Sequence, residues 1–92
     1  MPSVSRASSE PTERQRLFGD RVRRYRHELG LSQDAFALKA GVDRTYVASL
    51  ETGKRNVSLD LIGVLAAALE VDAAKLVSGI EKVEGKPRSK LR

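Results

Sequence analysis

The segment "LSQDAFALKAGVDRTYVASLETGKRN", residues 31–56, decides the fold of this chain. Within it, Ser32 and Asp43 each precede a helix-forming run, and a glycine follows each run. Serine and aspartate are favoured N-cap residues, and glycine commonly closes a helix because it adopts left-handed backbone at no steric cost. The pattern predicts two helices, 33–40 and 44–51, joined by a very short connection.

So short a connection containing glycine is typical of the helix-turn-helix, in which two helices cross steeply. In that arrangement the second helix lies in the major groove of DNA, with its N-terminal residues on base edges. Val47 and Leu50 then point toward a core. The opposite side, here named the recognition face, carries Arg44, Thr45, Tyr46 and Ser49.

The side chains of the recognition face suit base readout. Arginine grips guanine O6 and N7 with two hydrogen bonds, threonine offers a hydroxyl and a methyl group, and tyrosine brings a ring and one hydroxyl. Each position also has a reading without DNA: Arg44 and Thr45 as ordinary surface residues, and Ser49 as a solvent-facing one. The ring of Tyr46 could instead pack beside the preceding helix.

Three further helices complete an all-α class, because no segment alternates with the two-residue period of a strand. Thr12 and Gln15 fit a capping box before the first, which Gly30 stops. Ser58 and Asp72 are the expected caps of the other two. The predicted ranges are 13–29, 59–70 and 73–80. The last helix has two alternative ends, one at residue 80 and one at residue 83, because Gly79 disfavours a continuous helix.

The 92 residues allow one domain, and the 40% hydrophobic content is that of a globular chain. We expect a flexible arm over 1–11, the domain over 12–81 and a basic tail over 82–92. The longest apolar run, "LIGVLAAAL", is too short for a membrane span, and no secretory signal opens the chain. Cysteine is absent, which excludes disulfides and thiolate metal sites. A cytoplasmic protein is expected.

The net charge of +5 is unevenly distributed. Residues 13–29 hold six arginines against three acidic side chains, whereas 58–81 hold four acidic side chains against one lysine. This asymmetry favours one side that faces a polyanion and another that does not. A solvated basic surface would give the same charge.

No catalytic or cofactor site is predicted. The chain lacks a nucleophile elbow, a phosphate-binding glycine loop and a paired acid and base. His27 is the only histidine and has no cysteine or carboxylate cluster around it, so no metal site is expected. No small-molecule ligand is indicated either.

Residues 17–77 resemble the Cro/repressor-like helix-turn-helix family, the XRE group. The resemblance rests on "LGLSQDAFALKAGVDRTYVASLETGKRNVS" and "LIGVLAAALEV", with Val57 departing from the proline of many relatives. Within the family, "DRTY" and "RNVS" are most similar to restriction–modification controller proteins. The resemblance implies a compact five-helix, lambda-repressor-like DNA-binding domain with its helix-turn-helix at helices 2 and 3.

The resemblance also implies individual roles. Gln33 would contact the DNA backbone or a neighbouring base, beside a helix N-terminus at Ser32 that suits a phosphate. The loop residues Lys54, Arg55 and Asn56 would meet phosphates. Arg26 and Glu51 would form a structural ion pair between helices 1 and 3.

A DNA-binding dimer needs a partner surface that is not basic, and residues 58–81 are acidic and rich in apolar side chains. Some of these side chains could instead close a single-chain core, Leu76 above all. The predicted two-fold contact consists of Val64, Ala68, Val71, Leu76 and Ile80.

The sequence thus predicts a bacterial or phage-like, nucleoid-associated regulator that binds double-stranded DNA as a homodimer on a near-palindromic operator. A restriction–modification controller is the favoured subtype. The alternative is an antitoxin or phage-type repressor whose helix-turn-helix domain also binds a protein partner. An RNA-binding module is disfavoured because four aromatic residues offer no stacking platform.

Overall fold

A computed structural model describes residues 10–83, which confirm the all-α prediction. The predicted arm and basic tail lie almost entirely outside the described residues. No helix in the described range has the length and apolar character needed to cross a membrane. The helices are α1 (Glu13–Glu28), α2 (Gln33–Ala40), α3 (Arg44–Glu51), α4 (Leu59–Leu69) and α5 (Ala73–Val77), followed by a 3-10 helix, Ile80–Lys82.

The helix starts follow the polar caps. Thr12 and Gln15 form the full capping box, with Gln15 N–H donating to Thr12 Oγ1 at 3.1 Å and Thr12 N–H donating to Gln15 Oε1 at 2.8 Å. Ser32 and Ser58 cap α2 and α4 through hydrogen bonds of 3.0 and 3.1 Å. The two aspartates expected as caps, Asp43 and Asp72, hold the N-cap position without accepting a side-chain cap bond.

The predicted fifth helix is too long at its C-terminal end. α5 stops at Val77, and Gly79 adopts a left-handed backbone with φ of 75°. Glycine takes this conformation freely, so the chain turns there and Ile80 begins a separate 3-10 helix. Ile80 is therefore not on the same helix face as Leu76.

Every α-helix contributes to one core. Leu76 of α5 is fully buried, as are Phe36 of α2 and Leu65 of α4. The remaining core residues are Phe18, Val22, Ala37, Val47, Leu50, Ala66, Ala68 and Leu69. Because α5 brings a wholly buried leucine, the core is complete only when the fifth helix is in place.

Gly19 allows α1 to cross the end of α3 in direct backbone contact. A β-carbon at Gly19 would clash with the carbonyl oxygen of Leu50 and crowd that of Glu51. Gly53, just after α3, combines a φ of 84° with close contact to the backbone of Arg16. The two glycines therefore set how closely α1 approaches the helix-turn-helix.

Two arginines of α1 hold the C-terminal elements. Arg14 Nε donates to the carbonyl oxygen of Ile80 at 2.7 Å, and Arg21 Nη1 donates to that of Leu76 at 3.2 Å. Leu76 is in the last turn of α5, where carbonyls lack partners within the helix. The carbonyl of Ile80 also accepts the N–H of Val83 at 3.3 Å. The arginines supply a further donor to each and tie the last described turns to the first helix.

Candidate nucleic-acid interface

Burial fixes the rotation of α3. Val47 and Leu50 have no exposed surface, so the other side of the helix is turned away from the core. Arg44 and Thr45, in the first turn, are exposed, and Tyr46 and Ser49 are partly exposed. The recognition face therefore has the polar, outward side chains expected of it at the N-terminal end of α3.

Arg55 lies against the recognition face although it belongs to the following loop. Its guanidinium carbon stands 4.8 Å from the centroid of the Tyr46 ring, in cation–π geometry. Its Nε donates to Ser49 Oγ at 2.8 Å, and that hydroxyl donates to the carbonyl oxygen of Tyr46 at 3.0 Å. The structure thus joins a residue predicted for the DNA backbone to two predicted for bases.

Arg44 is paired across the turn between the two helices. Its Nε lies 3.0 Å from Oδ1 of Asp34, which is in the first turn of α2. Both side chains are exposed. Sequence reasoning passed over Asp34 because the contact depends on how α2 and α3 cross.

Gln33 is oriented by a buried network. Its Nε2 donates to Glu51 Oε1 at 3.1 Å. The same carboxylate receives Arg26 Nε at 2.6 Å and Arg26 Nη2 at 2.9 Å, so the ion pair implied by the family resemblance is present. Gln33 is only partly buried although it is bonded to Glu51. Part of its side chain therefore remains at the surface, at the start of α2.

The other residues predicted for the DNA backbone flank the recognition face. Lys54 and Asn56 are exposed, and the N–H of Lys54 donates to the carbonyl oxygen of Ser49 at 3.0 Å, which folds the loop back onto α3. Ser32 uses its oxygen as an acceptor in the cap of α2. Its hydroxyl proton remains available for an acceptor outside the protein.

Two residues predicted for the dimer contact are buried inside the single chain. Leu76 has no exposed surface and Ala68 only 6%, so the prediction is wrong for both. The buried stripe of α4 is wider than expected and encloses the small Ala68 side chain, while Leu76 is the core residue of a helix too short for two apolar faces. Val64 is 43% exposed, and Val71 and Ile80 are partly exposed.

The side chains of this surface are suited to binding a polar or anionic partner. It offers guanidinium, ammonium, hydroxyl and amide donors on one side of the helix pair, which match phosphate oxygens and base edges. Among residues 10–83, no three His, Cys, Asp or Glu side chains are grouped so that they could hold a metal ion.

Comparisons with known proteins agree with this geometry. A helix-turn-helix family model matches residues 22–76. Control protein C.MunI from Mycoplasma sp is 44% identical over 66 residues, which cover 71% of this chain and 89% of that protein. The restriction–modification controller protein C.AhdI from Aeromonas hydrophila has a crystal structure that matches with a TM-score of 0.65 and 45% identity, covering 67% and 94% of the two chains. SinR, a master regulator for biofilm formation crystallised in complex with DNA, matches with a TM-score of 0.64 and 34% identity over 66% and 98%.

Proposed function

The chain belongs to the helix-turn-helix family, and we propose that it acts there as a homodimeric restriction–modification controller on a near-palindromic operator. It is a DNA-binding transcriptional regulator and not an enzyme. Residues 12–81 are proposed as the DNA-binding and dimerisation unit, working in the cytoplasm.

The recognition face is the observation that carries the proposal. Its four side chains project from a helix whose rotation is fixed by the buried Val47 and Leu50. A major groove admits such a helix, with the first turn nearest the bases. Arg44 is assigned to a guanine, Thr45 and Tyr46 to neighbouring base edges, and Ser49 to the base reached one turn later.

Residues on either side of α3 are assigned to the DNA backbone. Ser32 and Gln33 begin α2, where free N–H groups and the helix dipole favour a phosphate. Lys54 and Asn56 extend from the loop after α3, and Arg55 of the same loop lies against Tyr46 of the recognition face. Contacts on both sides of one helix would fix its register in the groove.

The two-fold contact is assigned to the apolar surface left after the core is filled. Two recognition helices enter successive major grooves when they stand about 34–36 Å apart, so the partner surface must lie away from α3. Val64 of α4, Val71 and Ile80 lie outside the helix-turn-helix, keep some exposed surface and belong to the acidic part of the chain. An isologous contact of this kind places the same residues on both sides of the axis.

The controller subtype rests on similarity to named relatives. C.MunI and C.AhdI match most of their own length at 44% and 45% identity. By analogy, the regulated genes are those of a methyltransferase and an endonuclease.

Selection from a pool of random duplexes tests the proposal. Purified protein should enrich a sequence with two inverted half-sites about one helical turn apart. It should sediment as a dimer, alone and on the selected duplex. Failure to enrich any sequence above the starting pool would contradict the DNA-reading assignment, and a stable complex with a second protein in place of the homodimer would favour the antitoxin alternative.

A further inference from the structure

The exposed pair of Asp34 and Arg44 contributes little to folding. The side chain of Asp34 is 79% exposed and that of Arg44 is 57% exposed. Ion pairs with this much exposure add little stability. Each residue also lies beside a surface that we propose contacts DNA, one at the start of α2 and one at the start of α3. A role in DNA reading therefore accounts for the pair better than a role in stability.

The geometry of the contact leaves the base-reading edge of Arg44 available. Asp34 Oδ1 lies 3.0 Å from Nε as an ion-pair contact, and the two terminal nitrogens of the guanidinium carry four N–H donors. Those two nitrogens are the ones that can reach guanine O6 and N7 together. A carboxylate on Nε restricts the rotation of the arginine before DNA arrives, so less conformational entropy is lost on binding.

The carboxylate also acts on DNA directly. Asp34 sits in the first turn of α2, next to the N-terminus assigned to a phosphate. A negative charge there opposes the approach of any phosphate, whatever the sequence. The repulsion lowers the affinity for specific and random DNA alike, so it changes the absolute affinities and not their ratio.

We propose that Asp34 is a positioning residue that holds Arg44 toward its base and thereby widens the gap between specific and random affinity, while its charge lowers the affinity for both kinds of DNA. The inference rests on the proposed function, because it requires Arg44 to read a base. A carboxylate in the first turn of α2 also favours the helix through its dipole. That contribution changes the thermal stability of the protein and leaves the affinity ratio of two DNA sequences unchanged.

The test compares two DNA probes: the duplex that the wild-type protein selects and a scrambled duplex of equal length and composition. Asp34→Asn should bind the scrambled duplex a few-fold more tightly and the selected duplex more weakly, which lowers the affinity ratio by about tenfold. Asp34→Glu retains the charge and should restore part of the ratio. In an Arg44→Ala background, Asp34→Asn should shift both affinities equally and leave the ratio unchanged.

Three results would overturn the inference. An unchanged ratio in Asp34→Asn, with a lower melting temperature, would assign the residue to helix α2 alone. A higher ratio would show that Asp34 competes with DNA for Arg44. If Asp34→Asn lowered the affinity ratio equally in the wild-type and Arg44→Ala backgrounds, Asp34 would not act through Arg44. If the wild-type protein itself fails to prefer the selected duplex, the proposed function fails first and the inference with it.

Discussion

Arg26 and Glu51 form a buried, bidentate ion pair that joins the last turn of α1 to the last residue of α3. Only 7% of Arg26 and 6% of Glu51 is exposed. Arg26 Nη1 also donates to the carbonyl oxygen of Leu31 at 2.8 Å, and Gln33 donates to Glu51. The pair therefore connects α1, the chain entering α2 and the end of α3, which together hold the helix-turn-helix.

Glu51→Ala should lower the free energy of unfolding by about 3–5 kcal/mol, because it leaves the Arg26 guanidinium buried without its counter-charge. Urea denaturation followed by circular dichroism measures the change. Glu28→Ala is the matched control: it breaks the exposed Arg24–Glu28 pair and should cost under about 1 kcal/mol. Equal losses in the two variants would contradict the importance given to burial.

Arg44→Ala should weaken binding to the selected duplex by about 1–3 kcal/mol and binding to scrambled DNA far less. The reason is that a guanine contact exists only on the right sequence. Titration of both duplexes by fluorescence anisotropy gives the two values. An equal loss on both would make Arg44 a phosphate contact.

Lys54→Ala should reduce affinity for every sequence. The slope of log binding constant against log salt concentration should fall in magnitude by about one unit, as expected for one lost phosphate contact. Arg55→Ala is the companion variant. Because Arg55 is held by Tyr46 and Ser49, its loss should also reduce the preference for the selected duplex. If the salt dependence were unchanged in both variants, the loop would not contact DNA phosphates.

Val64→Glu should raise the dimer dissociation constant by about tenfold or more, because a carboxylate would be buried against its own copy in a two-fold contact. Sedimentation velocity over a concentration series measures it. Leu38→Glu, on α2 and 84% exposed, provides the control and should remain dimeric. Retention of the dimer by Val64→Glu, with normal circular dichroism, would place the contact elsewhere.

Gly19→Ala and Gly63→Ala should have opposite effects on stability although both glycines lie inside helices. A β-carbon at Gly19 meets the carbonyl oxygen of Leu50, whereas one at Gly63 meets no atom within 4 Å. We expect Gly19→Ala to destabilise by about 1–3 kcal/mol through overpacking and Gly63→Ala to stabilise by about 0.5–1 kcal/mol. Melting curves at one protein concentration decide whether the signs differ.

Local chemistry made α2 and α3 predictable from sequence. Their bounds follow from Ser32, Asp43 and two glycines, residue types that favour helix ends, although only Ser32 makes a side-chain cap bond. The recognition face follows equally, since apolar spacing fixes which side of α3 is buried. Cap residues and apolar spacing act within a single helix, so they can be interpreted without knowing the tertiary fold.

Other features depend on how helices cross, and sequence reasoning missed them. The Asp34–Arg44 contact and the stacking of Arg55 on Tyr46 require the angle between α2 and α3 and the path of the loop. Leu76 was assigned to the wrong surface because a single apolar residue on a short helix fits a core or a partner equally well. Gly19 carries no side chain and so gives no periodic signal.

The hydrogen bond from Arg21 to Leu76 closes a stretch of 55 residues, with α2 and α3 inside it. Closing so long a stretch costs entropy that only the shared core repays, so the helices are expected to form together in one cooperative transition. Backbone amides of α3 should then exchange with deuterated solvent only through global opening, as slowly as those beside the fully buried Leu65. A peptide limited to residues 31–56 would lack this protection, since it lacks α1, whose Gly19 and Arg26 contact the end of α3.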